Sequence, residues 1–289
     1  MIIAVAAGKG GTGKTLVATS LAIALAKRFP GQVDLIDCDV EEPNADILIR
    51  PVLEKRESVH IKVPNVNEEK CIHCGACAQN CQFSAIAVIR DKVFTFPELC
   101  SGCGVCAYVC PVGAIEEVPR QVGVVDIGRA QVNGTTLRFI QGRMDVGEQR
   151  SPPTINAAKS HIDPARITVL DSAPGTACPM QETIEGADAC LLVTEPTPFG
   201  LHDMAMAVDT CRRMGVPAAV VLNRDGIGDS KPIEDYCQRE GLDIVLRIPH
   251  DRKIAEAYSR GETLLSVAPE YGEQLVQVYE CLRAIASKR

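Results

Sequence analysis

Short apolar runs recur along the chain, parted by segments whose apolar residues fall at helical intervals. The runs are IIAVAA (2–7), VDLIDCD (33–39), RITVLDSA (166–173), ACLLVTE (189–195), AAVVLNR (218–224) and IVLRIP (244–249). They are continuous rather than alternating, which implies strands buried on both faces. Between them TLVATSLAIALAKRF, GLHDMAMAVDTCRRMG and KPIEDYCQREG predict crossover helices. Strand and helix in turn predict an α/β fold with a mainly parallel sheet covered on both sides. The regularity fails between about residues 62 and 165. Cysteine repeats come first there, followed by two strand-like pieces, GVVDIGRAQV and TLRFIQGRMDV, and by SPPT, which reads as a breaker. Since the βαβ rhythm resumes afterwards, the cysteine segment is expected to be an insertion at 64–119, with the main domain at 1–63 and 120–289. Its two ends should emerge close together.

Gly8-Lys9-Gly10-Gly11-Thr12-Gly13-Lys14-Thr15 follows the first run and precedes a helical pattern, the context that G-x4-G-K-[ST] requires. Glycines let backbone amides close round phosphates, and the following helix presents its positive N-terminus. Lys14 then reaches the terminal phosphates and the Thr15 hydroxyl is placed for Mg²⁺. Two carboxylates end apolar strands on the same crevice, Asp39 in DCDVEEPNAD and Asp171 in VLDSAPGT. Each is suited to holding Mg²⁺ through water or orienting an attacking water, with plain helix N-caps as the competing reading.

Lys9 sits too early in the loop to duplicate Lys14, and a second cation there calls for an anion. KGGTGKT resembles the deviant Walker loop of the MinD/ParA ATPases, a group that includes the nitrogenase iron protein and the Mrp-type iron–sulfur carriers. That resemblance implies an ATP-dependent dimer, of this chain with itself or with a related paralogue, in which Lys9 crosses to the partner's nucleotide. A contact of that kind is worth about 10³ to 10⁵ in rate. The bland reading leaves Lys9 as a solvated loop residue. The spacing from Asp39 to Asn44 and Asp46 is similar to the first switch of MinD-type ATPases, and Asp171 with Pro174 and Gly175 resembles the second. The same resemblance implies adenine beside Asn223 and Arg224, and a segment from Pro249 onward, IPHDRKIAEAYSRGETLL, closing over the base. His250 in that segment reads as a surface residue.

Cys71, Cys74, Cys77 and Cys81 have the spacing C-x2-C-x2-C-x3-C, and Cys100, Cys103, Cys106 and Cys110 repeat it 29 residues on. The offset also carries Gly75 onto Gly104, Ala78 onto Ala107 and Ala85-Ile86 onto Ala114-Ile115, an internal duplication. This run is the one that holds 4Fe-4S clusters in bacterial two-cluster ferredoxins. The likeness implies a ferredoxin-like α+β insert with the fourth ligand crossing over. One cluster would take Cys71, Cys74, Cys77 and Cys110, and the other Cys100, Cys103, Cys106 and Cys81. Structural zinc, with its two separated knuckles, is the competing reading. Gln82 stands where proline follows the last cysteine of the second repeat. Of the scattered cysteines, Cys190, Cys211, Cys237 and Cys281 read as small core residues. Cys178, just past the second switch, is reminiscent of a bridging ligand in the nitrogenase iron protein, and Cys38 adjoins Asp39.

Of 289 residues 46% are hydrophobic, enough for a real core, and the 14 cysteines form no secreted disulfide framework. No charged leader or bilayer-length apolar stretch is visible, so a soluble, cytoplasmic protein is expected, with no membrane partner. A net charge of −7 does not favour a nucleic-acid surface. Leu275, Val278, Leu282 and Ile285 share one face of a C-terminal helical pattern, best explained by docking on the sheet. Three functions remain in play. They are an ATPase (ATP/ADP with Mg²⁺) that gates electron transfer through two 4Fe-4S clusters, an ATP-dependent iron–sulfur assembly or carrier factor, and a MinD/ParA-like positioning ATPase.

Overall fold

A computed structural model describes residues 1–288. The first half of the main domain runs β1 (Ile2–Ala6), α1 (Lys14–Arg28), β2 (Val33–Asp37) and α2 (Ala45–Ile49). The chain then leaves along β3 (Val52–Val66), forms α3 (Ala76–Gln79), the hairpin β4 (Ile86–Ile89) and β5 (Lys92–Thr95), and α4 (Val105–Tyr108), and returns along β6 (Ile115–Val132). After β7 (Thr135–Met144) come α5 (Pro152–Lys159), β8 (Ile167–Asp171), α6 (Cys178–Ile184), β9 (Ala189–Thr194), α7 (Pro198–Arg213), β10 (Ala218–Asp225), α8 (Lys231–Glu240), β11 (Ile244–Pro249), α9 (Arg252–Ser259), α10 (Leu264–Val267) and α11 (Tyr271–Ala286).

Nine strands form one sheet in the order β11-β10-β9-β1-β8-β2-β7-β6-β3. Pairing is parallel from β11 through β7 and antiparallel where β6 and β3 are added at one edge. The continuous apolar runs are buried from end to end in β2, β8 and β9. Period 2 divides them between two cores: Ile3 and Val5 point to one face with α1 and α11, Ala4 and Ala6 to the other with α7. Leu275, Val278 and Leu282 bury the face of α11 and Ile285 packs beside them, so the C-terminal helix is a cover for the sheet. The segment SPPT does not break the structure. Its prolines open α5, where a missing N–H leaves nothing unpaired.

β3 was not legible in the sequence pattern, because much of it is an edge strand: residues 52–56 are exposed, and residues 54–57 are all charged. It pairs with β6 from Val52 opposite Arg129 to Val66 opposite Ile115, a ladder that projects from the sheet. The expected boundaries at 63/64 and 119/120 lie inside these two strands. Beyond the ladder the segment 67–114 is closed at its neck by Asn67 N–H donating to Ala114 O at 2.7 Å. β7 is the second strand-like piece after the repeats. It lies parallel to β2 despite the long excursion between them, and carries the fully buried Phe139. Truncation of Phe139 to alanine is expected to cost about 3–5 kcal/mol, read as a lower denaturant midpoint at unchanged slope.

Candidate nucleotide site and cysteine cavities

The glycine loop joins the carboxyl end of β1 to α1, at the sheet edge where β2 and β8 also end. Gly13 stands before α1 at φ 92°, and a side chain there would collide with Asn223. Asn223 closes the contact by donating Nδ2–H to Thr12 O at 2.7 Å. Lys14 is buried, its Nζ 2.8 Å from Asp171 Oδ1 and 3.9 Å from Asp39 Oδ2. Burial pulls the Lys14 pKa down, but Asp171 and Asp39 outweigh that and hold it above the ordinary lysine value.

Carboxylates outnumber that lysine. Burial, then Asp171, push Asp37 up to about 7, against hydrogen bonds from the backbone amides of Ala45 and Asp39. Burial, against the opposing charge of Lys14, leaves Asp39 raised to about 6. Asp37 also accepts from Asn44 N, so its role is to pin the turn into α2. Asp171 is fully buried and its Oδ2 has no hydrogen-bond partner. The orphaned oxygen of Asp171, with Asp39 beside it, suits a hard divalent cation, for which Thr15, Asp39 and Asp171 are the available oxygen donors.

A cavity of about 480 Å³ opens from this point, lined by residues 9–16, Asp39, Asn223, Arg224 and Pro249, with Ile254, Ala255 and Tyr258 of α9 as an apolar wall. Its size lies in the range of small-molecule sites. His250 stands on the same lining. Lys9 is not the uncompensated cation that the sequence implied: Glu195 Oε1 lies 2.7 Å from its Nζ within the same chain. Glu195 Oε2 also accepts from Arg224 Nη1 at 3.0 Å, so one nitrogen of the Arg224 guanidinium is held by this pair. Glu195 escaped sequence reasoning although it ends a parallel strand, the signal that picked out Asp39 and Asp171.

The eight thiols partition into two cavities. Cys71, Cys74, Cys77 and Cys110 line one, with Val66, Val88, Val93 and Ile115. Cys81, Cys100, Cys103 and Cys106 line the other, and each encloses only about 20 Å³. Each therefore draws three cysteines from one repeat and the fourth from the other. α3 and α4 start after Gly75 and Gly104, both left-handed, so the duplication extends to backbone conformation. Backbone amides donate to sulfur at matching places: His73 to Cys71 and Gly102 to Cys100, both at 3.4 Å, Ala85 to Cys81 at 3.3 Å and Ala114 to Cys110 at 3.2 Å. Backbone hydrogen bonds, from Ala114 to Cys110 and from Val105 to Cys103, lower those two thiol pKa values, whereas burial raises Cys77 and Cys106. Among the described residues no three His, Cys, Asp or Glu side chains close on a point as ligands of a single metal ion do. The thiols ring cavities instead.

Among the scattered cysteines, Cys190, Cys211 and Cys237 are buried in the core, but Cys281 is exposed on α11, contrary to expectation. It lies on the flank of the face that α11 buries through Leu275, Val278 and Leu282. Cys38 is fully buried and its thiol is pushed far up by burial, which removes it from thiolate chemistry. Cys178 is exposed at the start of α6.

A parallel α/β sheet that feeds such a loop into a helix, with acids at neighbouring strand ends, defines a P-loop nucleotide-binding protein. Residues 3–264 match the model of the CobQ/CobB/MinD/ParA nucleotide binding domain, and the chain belongs to that family. It is 32% identical to an uncharacterized protein of Methanocaldococcus jannaschii over 92% of this chain and 91% of that one. It is 25% identical to the iron-sulfur cluster carrier protein of Pyrococcus horikoshii over 90% of this chain and 77% of the carrier. Among solved structures, the septum site-determining protein MinD complexed with Mg-ADP from Pyrococcus horikoshii covers 100% of this chain and 99% of its own, at a TM-score of 0.57 and 18% identity, a likeness of fold.

The Glu195 pairs have a pH signature. Burial alone would raise this carboxyl, but Lys9 and Arg224 hold it below its ordinary value. A lowered carboxyl pKa contributes stability above the unfolded value and loses it as pH falls through the folded one. Glu195→Gln is therefore expected to be less stable than wild type at pH 7, with the gap narrowing as pH falls below about 4.5. Urea midpoints of both proteins across that range check it.

Proposed function

We propose that the protein binds and hydrolyses Mg-ATP and couples the nucleotide state to electron transfer through two 4Fe-4S clusters held in a ferredoxin-like insert. The crossed partition of the eight cysteines carries this reading. Four thiols round each cavity, with amides aimed at sulfur, fit the donor set of a cubane cluster and leave no ligand missing. Clusters held there would supply one-electron chemistry. The chain's part is to hold the thiols, shield one set with Val66, Val88, Val93 and Ile115 and the other with Phe83, Ile86 and Val105, and tune them through the four amide contacts.

At the nucleotide site the loop amides and Lys14 would bind the phosphates. Asp39 would orient the attacking water, and Thr15 and Asp171 would hold Mg²⁺, which offsets phosphate charge. Asn223 and Pro249 line the cavity at the place proposed for adenine. Arg224, also proposed as an adenine contact, lines the same cavity while its Nη1 pairs with Glu195. Lys9 is proposed to act across an ATP-dependent dimer, and its pair with Glu195 is the contact that such a move must exchange.

The likeness to an iron-sulfur cluster carrier protein favours a second reading, assembly or delivery of clusters. Complete four-thiol sites argue for retention, since a donated cluster needs a labile ligand. A positioning role is the weakest of the three, because it gives the eight ordered thiols nothing to do.

Anaerobic reconstitution tests the proposal. Two cubanes predict about eight iron and eight sulfide per chain, and Cys103→Ala should reduce the count or alter one of two electron-paramagnetic signals while leaving nucleotide binding intact. Reduced spectra or potentials should change on adding Mg-ATP. Absence of iron and sulfide, no affinity for adenine nucleotides, or spectra indifferent to nucleotide would overturn it. Transfer of iron and sulfide to an apo-acceptor would favour the carrier reading.

A further inference from the structure

The segment 145–151 between β7 and α5 belongs to neither the glycine loop nor the cysteine repeats, yet it touches both halves of the molecule. At its start, Met144 N–H donates to Val40 O at 2.9 Å, and Val40 is the residue after Asp39. The packing there is tight: a side chain at Gly142 would lie 2.6 Å from Val40 Cγ1. Displacement of Asp39 and Val40 must therefore displace the end of β7.

At the other end stands Arg150. Its guanidinium lies 4.4 Å from the centre of the Phe83 ring and donates to Leu99 O. Phe83 follows Cys81 by two residues and lines the cavity of Cys81, Cys100, Cys103 and Cys106, and Leu99 immediately precedes Cys100. Both anchors thus flank thiols of one cavity and none of the other. The loop between is braced. Glu148, its side chain 2% exposed, accepts from Arg120 Nη2 at 2.7 Å and from the amides of Gln149 and Arg150 at 3.1 and 3.3 Å. Asp145 N–H donates to Val122 O at 3.0 Å. Among the described residues, Arg150 makes the one side-chain hydrogen bond to the segment 67–114 from outside β3 and β6.

We infer that Arg150 is a positioning residue that transmits movement of the Asp39 segment to the Cys81–Cys100–Cys103–Cys106 cavity, leaving the Cys71–Cys74–Cys77–Cys110 cavity unaddressed. The inference rests on the nucleotide-coupling reading above, because the signal begins with a nucleotide at Lys14 and Asp39. Val40 and β7 carry the displacement, Glu148 keeps the loop from absorbing it, and the planar guanidinium applies it to a ring and a carbonyl on either side of the thiols. A lysine would keep the charge and lose the stacked plane and the fork.

Amide hydrogen exchange on the reconstituted full-length protein, with and without a non-hydrolysable Mg-ATP analogue, tests this without relying on turnover. In wild type the analogue should change exchange at 37–46, at 142–150 and at 81–85 and 96–103, the last two by about five-fold, the lower end of typical coupling. Arg150→Ala should bind the analogue as wild type does and keep the response at 37–46, but lose it at 81–85 and 96–103. Arg150→Lys should recover only a minor part. In the same samples, the analogue should shift one of the two reduced-cluster signals in wild type and neither in Arg150→Ala. A full response at 96–103 in Arg150→Ala, or a wild-type response confined to 37–46, would overturn the role of Arg150 alone. No response at 37–46 would instead remove the nucleotide reading and the relay with it.

Discussion

The ion pair between Lys14 and Asp171 is the interaction on which the rest of the structure depends. Their nitrogen and oxygen lie 2.8 Å apart and both side chains are withdrawn from solvent. Taking two charges out of water costs several kcal/mol per ion, so a pair like this is weak support for stability and strong evidence of a purpose. Removing one partner from such a pair leaves a buried charge uncompensated, at a cost of about 3–5 kcal/mol. Here the neutralisation is also incomplete, because Asp37 and Asp39 crowd the same lysine and Asp171 Oδ2 has no partner. On the proposed function, polyphosphate would draw Lys14 away from the acids, and a divalent cation would take its place beside them.

What fixes those charges is mostly backbone hydrogen bonding, with Gln141 Nε2 also donating to Asp37. Asp37 spends its oxygens on the amides of Asp39, Asn44 and Ala45, which sets the path of the segment carrying Asp39. Cys38 N–H donates to Asp171 O, tying the ends of β2 and β8 together. Val40 O receives Met144 N–H, so the same segment is tied to β7. β7 in turn pairs with β6, and β6 is one rail of the ladder that carries the cysteine segment. The two chemistries thus share consecutive strands of a single sheet, not a flexible tether.

How much of this was legible in the sequence follows from what each element has to satisfy. Strands buried on both faces must be continuously apolar, so β2, β8 and β9 were visible. The glycine loop was visible because its residues are constrained by phosphate geometry as well as by the fold; that Lys14 pairs with Asp171 was not, since no spacing in the chain brings the two together. β3 satisfies neither condition, being an edge strand exposed to water for much of its length, and its charged residues hid it. The pairing of Lys9 with Glu195 was hidden for another reason: the two are brought together only by the adjacency of β1 and β9, which no spacing in the chain reveals. The crossed grouping of cysteines was implied by likeness to ferredoxins, and the cavities show the same grouping in space.

The two cysteine cavities are alike in chemistry but not in position. The one containing Cys100 packs near Ile61, Val63 and Val118, on the flank of the β3–β6 ladder, and Gly102 approaches the backbone of Lys62. The one containing Cys77 packs with Ile86 and Ile115 against the β4–β5 hairpin, past the last rung of the ladder at Val66 and Ile115. Duplication thus placed one site beside the nucleotide-binding body and the other at the far end of the insert. On the proposed function this sets the order of transfer, since a cavity at the tip meets an outside protein more readily than one held against the ladder. The apolar side chains bear on the same point. Ala87 opposes Phe94 across the hairpin, and Ile89, Phe94 and Phe96 are exposed on its outer side while Val88 and Val93 line the inner cavity. Each cavity has one exposed cysteine, Cys74 in this one and Cys103 in the other, so what distinguishes the other is the chain of contacts that leads from it to Asp39. The asymmetry is what a device needs if one site is to be governed by the nucleotide and the other is to be reached from outside.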